Sequence, residues 1–186
     1  MEHQRTNELS FGGALVARPS VKPLAIRLEN HYVVECVREG KVIWTEEFDN
    51  IVVTEGLNDS LDKHLKGSTY TAAWYVGLTD GTPTVAAGDT MASHAGWTEI
   101  TAYSEGVRQT LTLGTVSAGS VDNSASKAVF SINGTTTVGG AFVVTNSTKG
   151  GTTGILYGAG AFTGGDRSVV SGDTLNVTVT CTAAAA

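Results

Sequence analysis

Residues 167–182, with the sequence Arg-Ser-Val-Val-Ser-Gly-Asp-Thr-Leu-Asn-Val-Thr-Val-Thr-Cys-Thr, decide the fold class of this chain. From Leu175 onward, apolar residues alternate with Asn or Thr, which is the period of a strand with one buried and one exposed face. The preceding Ser171-Gly172-Asp173 is a turn sequence. Because one strand is not stable alone, the rest of the chain must supply a sheet and an apolar layer opposite it.

The composition favours an all-β protein. The chain has 186 residues and 41% hydrophobic content, which is enough to form the core of one domain. Its 23 glycines and only three prolines suit strands joined by turns. A net charge of −6 without clusters of Lys and Arg predicts no nucleic-acid partner and no membrane partner.

The N-terminal part differs from the rest in charge. Residues 1–66 hold 8 of the 12 Lys and Arg and 11 of the 18 Asp and Glu. Residues 1–30 show no sustained period, and Pro19 and Pro23 exclude a helix across the middle. We predict an extended N-terminal arm over residues 1–30 and a folded domain over residues 31–186.

The folded domain is predicted to begin with a hairpin and one short helix. Strands over 31–38 and 41–48 flank Glu39-Gly40, which suits a tight turn, and a short strand over 51–54 follows. A helix over about 55–66 is indicated by leucines at every fourth position, with Thr54 as N-cap and Gly67 past the end. The narrow leucine stripe, Leu57, Leu61 and Leu65, places this helix at the edge or end of a sheet.

Strands are predicted for the remainder, over residues 73–79, 96–101, 108–116, 126–133, 137–145, 154–158 and 174–182. The connections over 80–93 and 159–172 are too long for simple hairpins. This pattern favours a Greek-key or jelly-roll β-sandwich.

Residues 80–99 contain the best candidates for chemistry, namely Asp80, Asp89, His94, Thr98 and Glu99. The single histidine has no second ligand two or four residues away, and the acids are not clustered as oxygen-rich metal loops require. Hydrolase, zinc-protease and redox motifs do not occur. We expect no catalytic, cofactor or metal site, and we expect Cys36 and Cys181 to be reduced.

The aromatic residues raise the possibility of a sugar-stacking platform. Trp74 and Tyr75 are neighbours on a predicted strand, however, and must point to opposite faces. We therefore favour packing in the core or at a subunit interface, with Trp44, Trp74 and Trp97 as interface candidates.

Several segments resemble a family of small virion structural proteins of tailed bacteriophages. The resemblance covers roughly residue 48 to the C-terminus and lies in the segments Trp-Tyr-Val-Gly-Leu (74–78), Asp-Thr-Met-Ala-Ser-His-Ala-Gly-Trp-Thr-Glu (89–99), Ser-Ala-Ser-Lys-Ala (124–128), Lys-Gly-Gly-Thr-Thr-Gly (149–154) and Val-Ser-Gly-Asp-Thr-Leu (170–175). It implies a capsid decoration (cement) protein or a tail-fibre component. The family has no catalytic residues to carry over.

An arm attached to a compact sandwich favours the cement alternative, because a tail fibre more often shows repeats or a coiled coil. A glycan hydrolase would need two paired carboxylates, for which only Asp89 and Glu99 are near candidates. The expectation is a non-enzymatic protein on the capsid exterior, assembled in the bacterial cytoplasm, that binds the major capsid protein and neighbouring copies. The candidate capsid-binding residues are Arg5, Phe11, Leu15, Arg18, Lys22 and Arg27.

Overall fold

The computed structural model describes residues 26–70 and 73–185. Their twelve strands are β1 (Ile26–Arg38), β2 (Lys41–Asp49), β3 (Ile51–Val52), β4 (Tyr75–Thr79), β5 (Gln109–Thr110), β6 (Ser120–Asp122), β7 (Ala128–Ser131), β8 (Thr136–Val138), β9 (Gly140–Val144), β10 (Leu156–Ala161), β11 (Arg167–Val169) and β12 (Thr174–Ala185). The described part has one α-helix, α1 (Thr54–His64), and a 3-10 turn at Ser124–Ser126. The prediction of an all-β protein with one short helix is confirmed.

The first sheet is built around β12. Its order is β2-β1-β12-β6, and β7 also pairs with β12, on the part of the strand that β6 leaves open. All its pairings are antiparallel, and Val34 of β1 lies opposite Val177 of β12. The alternation read from the sequence is confirmed, since Leu175, Val177 and Val179 are fully buried.

The hairpin between β1 and β2 has the predicted turn. Glu39 and Gly40 both have positive φ, of 51° and 75°. Two consecutive residues in this region form a type I′ turn, whose twist matches that of the flanking strands.

The second sheet has the order β3-β10-β9-β4-β5 and is covered on both faces. The main core lies between the two sheets and includes Val76 and Val143. A second apolar cluster, which includes Phe142, Met91 and Trp97, lies on the opposite face. Because both faces are covered, all five residues of β9 are buried.

One predicted strand is wrong, a second is observed only in part, and two observed strands were missed. Residues 96–101 form only an isolated bridge, Thr79 with Glu99, and the side chain of Asp80 accepts the N–H of Thr98 beside it. Residues 108–116 contribute only β5 to the sheet. The short strands β6 and β11 carry too few residues to show a period.

The predicted strand over 137–145 is divided between two sheets. β8 pairs with β11 in a small two-stranded sheet, whereas β9 belongs to the second sheet. The break is at Gly139, where an added Cβ would lie 2.5 Å from the carbonyl oxygen of Asp80. The chain changes direction at a point where only glycine fits.

The predicted boundary between arm and domain at residue 30 requires correction. β1 begins at Ile26, which lies opposite Ala185 of β12. The sequence pattern hid this extension, because the buried position 30 of the strand is an asparagine. Residues 1–25 lie outside the described part of the chain, so the predicted arm over them stays a prediction.

The two cysteines are free, as predicted. Cys36 lies opposite Leu175 and Cys181 lies opposite Asn30 on the same pair of strands. Six residues along a strand correspond to about 20 Å, which no disulfide can bridge.

The jelly-roll topology stays a prediction, whereas two antiparallel sheets around a shared core are observed. Within residues 26–70 and 73–185, no helix is both long and apolar enough to cross a membrane.

Candidate partner-binding surface

Helix α1 is attached to the second sheet through its first turn. Gly56 approaches Tyr157 of β10 so closely that an added Cβ would lie 2.3 Å from its carbonyl oxygen. The carboxylate of Glu55 accepts the N–H of Leu156 at 2.8 Å. The residue before the helix is Val53, which makes no side-chain cap, so the prediction of Thr54 as N-cap is wrong. A backbone contact takes the place of a cap, since the N–H of Thr54, the first in the helix, donates to the carbonyl of Ala87 at 2.8 Å.

This attachment turns the leucine stripe of α1 outward. Leu57, Leu61 and Leu65 are 41%, 56% and 81% exposed. The sequence correctly predicted a helix beside a sheet, but the packing face is the one that carries Gly56, and the leucines face solvent. We call these three residues the leucine stripe.

A groove of about 530 Å³ separates the inner, polar face of α1 from the end of the sandwich. The helix contributes Asp59, Ser60, Lys63 and His64, and the opposite walls are mainly apolar: Tyr70, Trp74, Leu111, Leu113, Val116, Val143, Tyr157 and Cys181. We call this cavity the end groove. Its size falls in the range of sites that hold a small ligand or a few side chains.

Aromatic contacts hold the apolar wall of the end groove. The rings of Trp74 and Tyr157 meet edge to face, with centroids 5.3 Å apart. The indole Nε1 of Trp74 donates to the hydroxyl of Tyr70 at 2.6 Å. Burial raises the pKa of Tyr157 above its ordinary value, and the nearby hydroxyl of Ser60 partly offsets this.

Cys181 lies on the wall of the end groove, and burial raises the pKa of its thiol to about 11. At neutral pH it is therefore a thiol with little nucleophilic thiolate. Because Cys181 lies on the groove wall, the reactivity of its thiol can report whether the groove is occupied.

The three tryptophans proposed as interface candidates lie in different surroundings. Trp97 is 5% exposed and packs against Phe142 in the second cluster, so it offers almost no area to a partner. Trp44 is half-buried and packs edge to face on Phe162. Trp74 borders the end groove. They do not form one platform, in agreement with the sequence argument against a sugar site.

The polar residues of segment 80–99 stabilise loops. Asp89 accepts a hydrogen bond from the Trp97 indole at 3.1 Å, and His94 stacks on the same ring with centroids 3.8 Å apart. Glu99 forms a bidentate pair with Arg108, at 2.9 and 2.7 Å.

The guanidinium of Arg108 is fully buried, and its remaining donors bind two carbonyls, those of Asn146 and Gly151. Every polar contact of this ion pair is thus made inside the fold. Asp89 and Glu99, the two carboxylates considered for hydrolysis, are committed to different partners. In the described residues, no group of three or more His, Cys, Asp or Glu side chains is arranged to hold a metal ion.

Of the candidate capsid-binding residues, Arg27 is the one within the described part. It is exposed on β1 and pairs with Glu29 at 2.6 Å. Arg5, Phe11, Leu15, Arg18 and Lys22 lie outside it. The sequence does not predict the end groove, because its walls come from elements far apart in the chain, and Trp74 is the one wall residue among the interface candidates.

Comparison with known proteins finds no matching family model, no similar curated protein and no similar solved structure.

Proposed function

We propose that this protein is a non-enzymatic structural protein of a bacteriophage particle, a capsid decoration protein that binds the major capsid protein lattice and stabilises the head. Two features support the proposal. Residues 48–186 resemble virion structural proteins, and the described residues form a folded domain of two sheets. A protein with this role needs a stable body and an exposed apolar surface for its partner.

The observation that carries the proposal is the leucine stripe. Leu57 and Leu61 of α1, and Leu65 at its C-cap, face solvent, although a surface helix normally turns such residues toward its own core. Contiguous apolar residues on a soluble domain are typical of binding surfaces. The helix is in close contact with the sandwich at Gly56, so the stripe is presented on the folded domain.

A binding experiment with phage particles that lack this protein tests the proposal. The purified protein is mixed with such particles and co-sedimented, in parallel with a variant carrying Leu57→Ser, Leu61→Ser and Leu65→Ser. Removal of three exposed leucines leaves the core untouched, so the variant should keep its melting temperature but lose binding. A matched control carries Val42→Ser and Ile43→Ser on β2, which are also exposed, and should bind normally.

Particle stability supplies the functional readout. Particles without the protein should release their genome at a lower temperature, and added wild-type protein should restore the original temperature. If depleted particles keep their heat resistance but fail to adsorb to cells, the protein belongs to the tail, and the tail-fibre alternative replaces the cement proposal. Equal binding by the leucine variant and the wild type would refute the assigned surface.

A further inference from the structure

We propose that the end groove is a docking site for residues 11–17 of the same chain, so that the N-terminal segment folds back onto the end of its own sandwich. This inference does not depend on the role in a phage particle, and it assigns Phe11 and Leu15, two of the candidate capsid-binding residues, to the groove instead. It rests on the place where the described chain begins, the length of the preceding segment, and the chemistry of segment and groove.

The chain enters the sandwich at the end where the groove lies. Cys181, on the groove wall, is opposite Asn30 of β1, and the strand starts only four residues earlier, at Ile26. The turn before β6 lies beside the same end, because the N–H of Ala183 donates to the carbonyl of Gly119. Val116, just before that turn, lines the groove and is 70% exposed.

The preceding segment is long enough to reach the groove. Four residues of strand separate Ile26 from the level of Cys181, which is about 14 Å. The nine residues from Ala17 to Ile26 span up to about 30 Å when extended. The segment can therefore turn back past the start of β1 and enter the groove with length to spare.

The N-terminal segment and the groove walls formed by the sheets are both largely apolar. Residues 11–17, Phe-Gly-Gly-Ala-Leu-Val-Ala, are uncharged and largely apolar, whereas charged residues lie on both sides, at Glu8 and Arg18. The groove walls formed by the sheets are apolar, with Trp74, Tyr157 and Leu113 among them. Attachment to the same chain favours docking, because it raises the effective concentration of the segment.

Thiol chemistry in the full-length protein tests the proposal, with Cys181 as the reporter and the fully buried Cys36 as the internal reference. The first variant, Leu15→Asp with Val16→Asp, places two charges in the docking segment. We expect alkylation of Cys181 by iodoacetamide to become about tenfold faster. This corresponds to a groove that is occupied in about nine-tenths of the wild-type molecules and free in the variant. The matched control, Thr6→Asp with Asn7→Asp, places the same charges outside the apolar run and should leave the rate unchanged.

A second variant tests the same contact by cross-linking. Val16→Cys should form a disulfide with Cys181 under mild oxidation, in a product that runs as a monomer, and Thr6→Cys should form much less. Unchanged Cys181 alkylation in the aspartate variant, or equal cross-linking from positions 6 and 16, would overturn the proposal. Cross-linking that joins only separate chains would also overturn it, in favour of exchange of the segment between copies. None of these outcomes bears on binding through the leucine stripe, so the two proposals can fail separately.

Discussion

At the scale of single residues, buried carboxylates close turns and join strands around the apolar core. Asp173 is an example, because it lies in the turn before β12 and accepts hydrogen bonds from Arg38 Nε and Nη2 at 2.6 and 2.8 Å. It also accepts the N–H of Val170 at 2.9 Å. The carboxylate is buried and links the ends of the two central strands of the first sheet.

The pKa of Asp173 gives a pH-dependent prediction. The hydrogen bonds from Arg38, followed by that from Val170, lower the pKa below its ordinary value, although burial opposes this. A carboxylate with a lowered folded-state pKa stabilises the fold above its unfolded pKa of about 3.9, and this contribution is lost as the pH falls through the lower folded value. Asp173→Asn should therefore be less stable than the wild type at pH 7, and the difference should shrink toward pH 2.

Urea unfolding at several pH values measures this difference. Arg38→Gln provides the control: it should destabilise the wild type, but it should cost much less when Asn already occupies position 173, because the ion pair is then absent. A difference between Asp173→Asn and wild type that stays constant from pH 7 to pH 2 would contradict the assignment.

At the scale of elements, α1 shows how a single glycine decides the orientation of a helix. Gly56 lets the backbone of α1 contact the backbone of β10, and the polar face of the helix follows it inward. The leucine stripe is thereby left at the surface, where its side chains do not contribute to the core.

Substitution of Gly56 tests this explanation. Gly56→Ala places a methyl group within 2.3 Å of a backbone oxygen that cannot move without disturbing β10. We expect a loss of about 1–3 kcal/mol in the free energy of unfolding, the usual cost of overpacking. Gly106→Ala is the matched control, because an added Cβ there meets open space and should be neutral or slightly stabilising. Chemical denaturation of both variants gives the comparison, and equal stabilities would contradict the account.

The same helix shows what the sequence could and could not predict. Period and turn residues identified α1, the hairpin and β12, because these elements are long enough to display their pattern. The face on which a helix packs depends on a partner distant in the chain, and the contact between Gly56 and Tyr157 leaves no local pattern. The end groove was missed for the same reason, and β6 and β11 were missed because three residues cannot show a period.

At the scale of the whole molecule, the first and last strands of the described chain pair along their length. β1 and β12 align from Ile26 with Ala185 to Val37 with Thr174, at the centre of the first sheet. The first sheet can therefore be completed only after nearly the whole chain is available. Contacts between residues so distant in sequence slow folding, since closing the long intervening loop costs entropy before the contacts can stabilise the fold.

A circular permutant tests this consequence of the topology. Ile26 and Ala185 face each other across the ladder, so their Cα atoms are about 5 Å apart and a short Gly-Ser linker can join them. New ends fit between Gly40 and Lys41, since Gly40 is exposed and an added Cβ there would meet nothing within 4 Å.

In this permutant the linker joins β12 directly to β1, so that these two strands form a local hairpin. β1 and β2 are then no longer consecutive in the chain. Twelve register pairs become local and eight become distant, so the permutant should refold faster than the linear chain of residues 26–185. Stopped-flow refolding measures both rates, and a permutant that folds to the same structure but no faster would show that the pairing of β1 with β12 forms after the rate-limiting step.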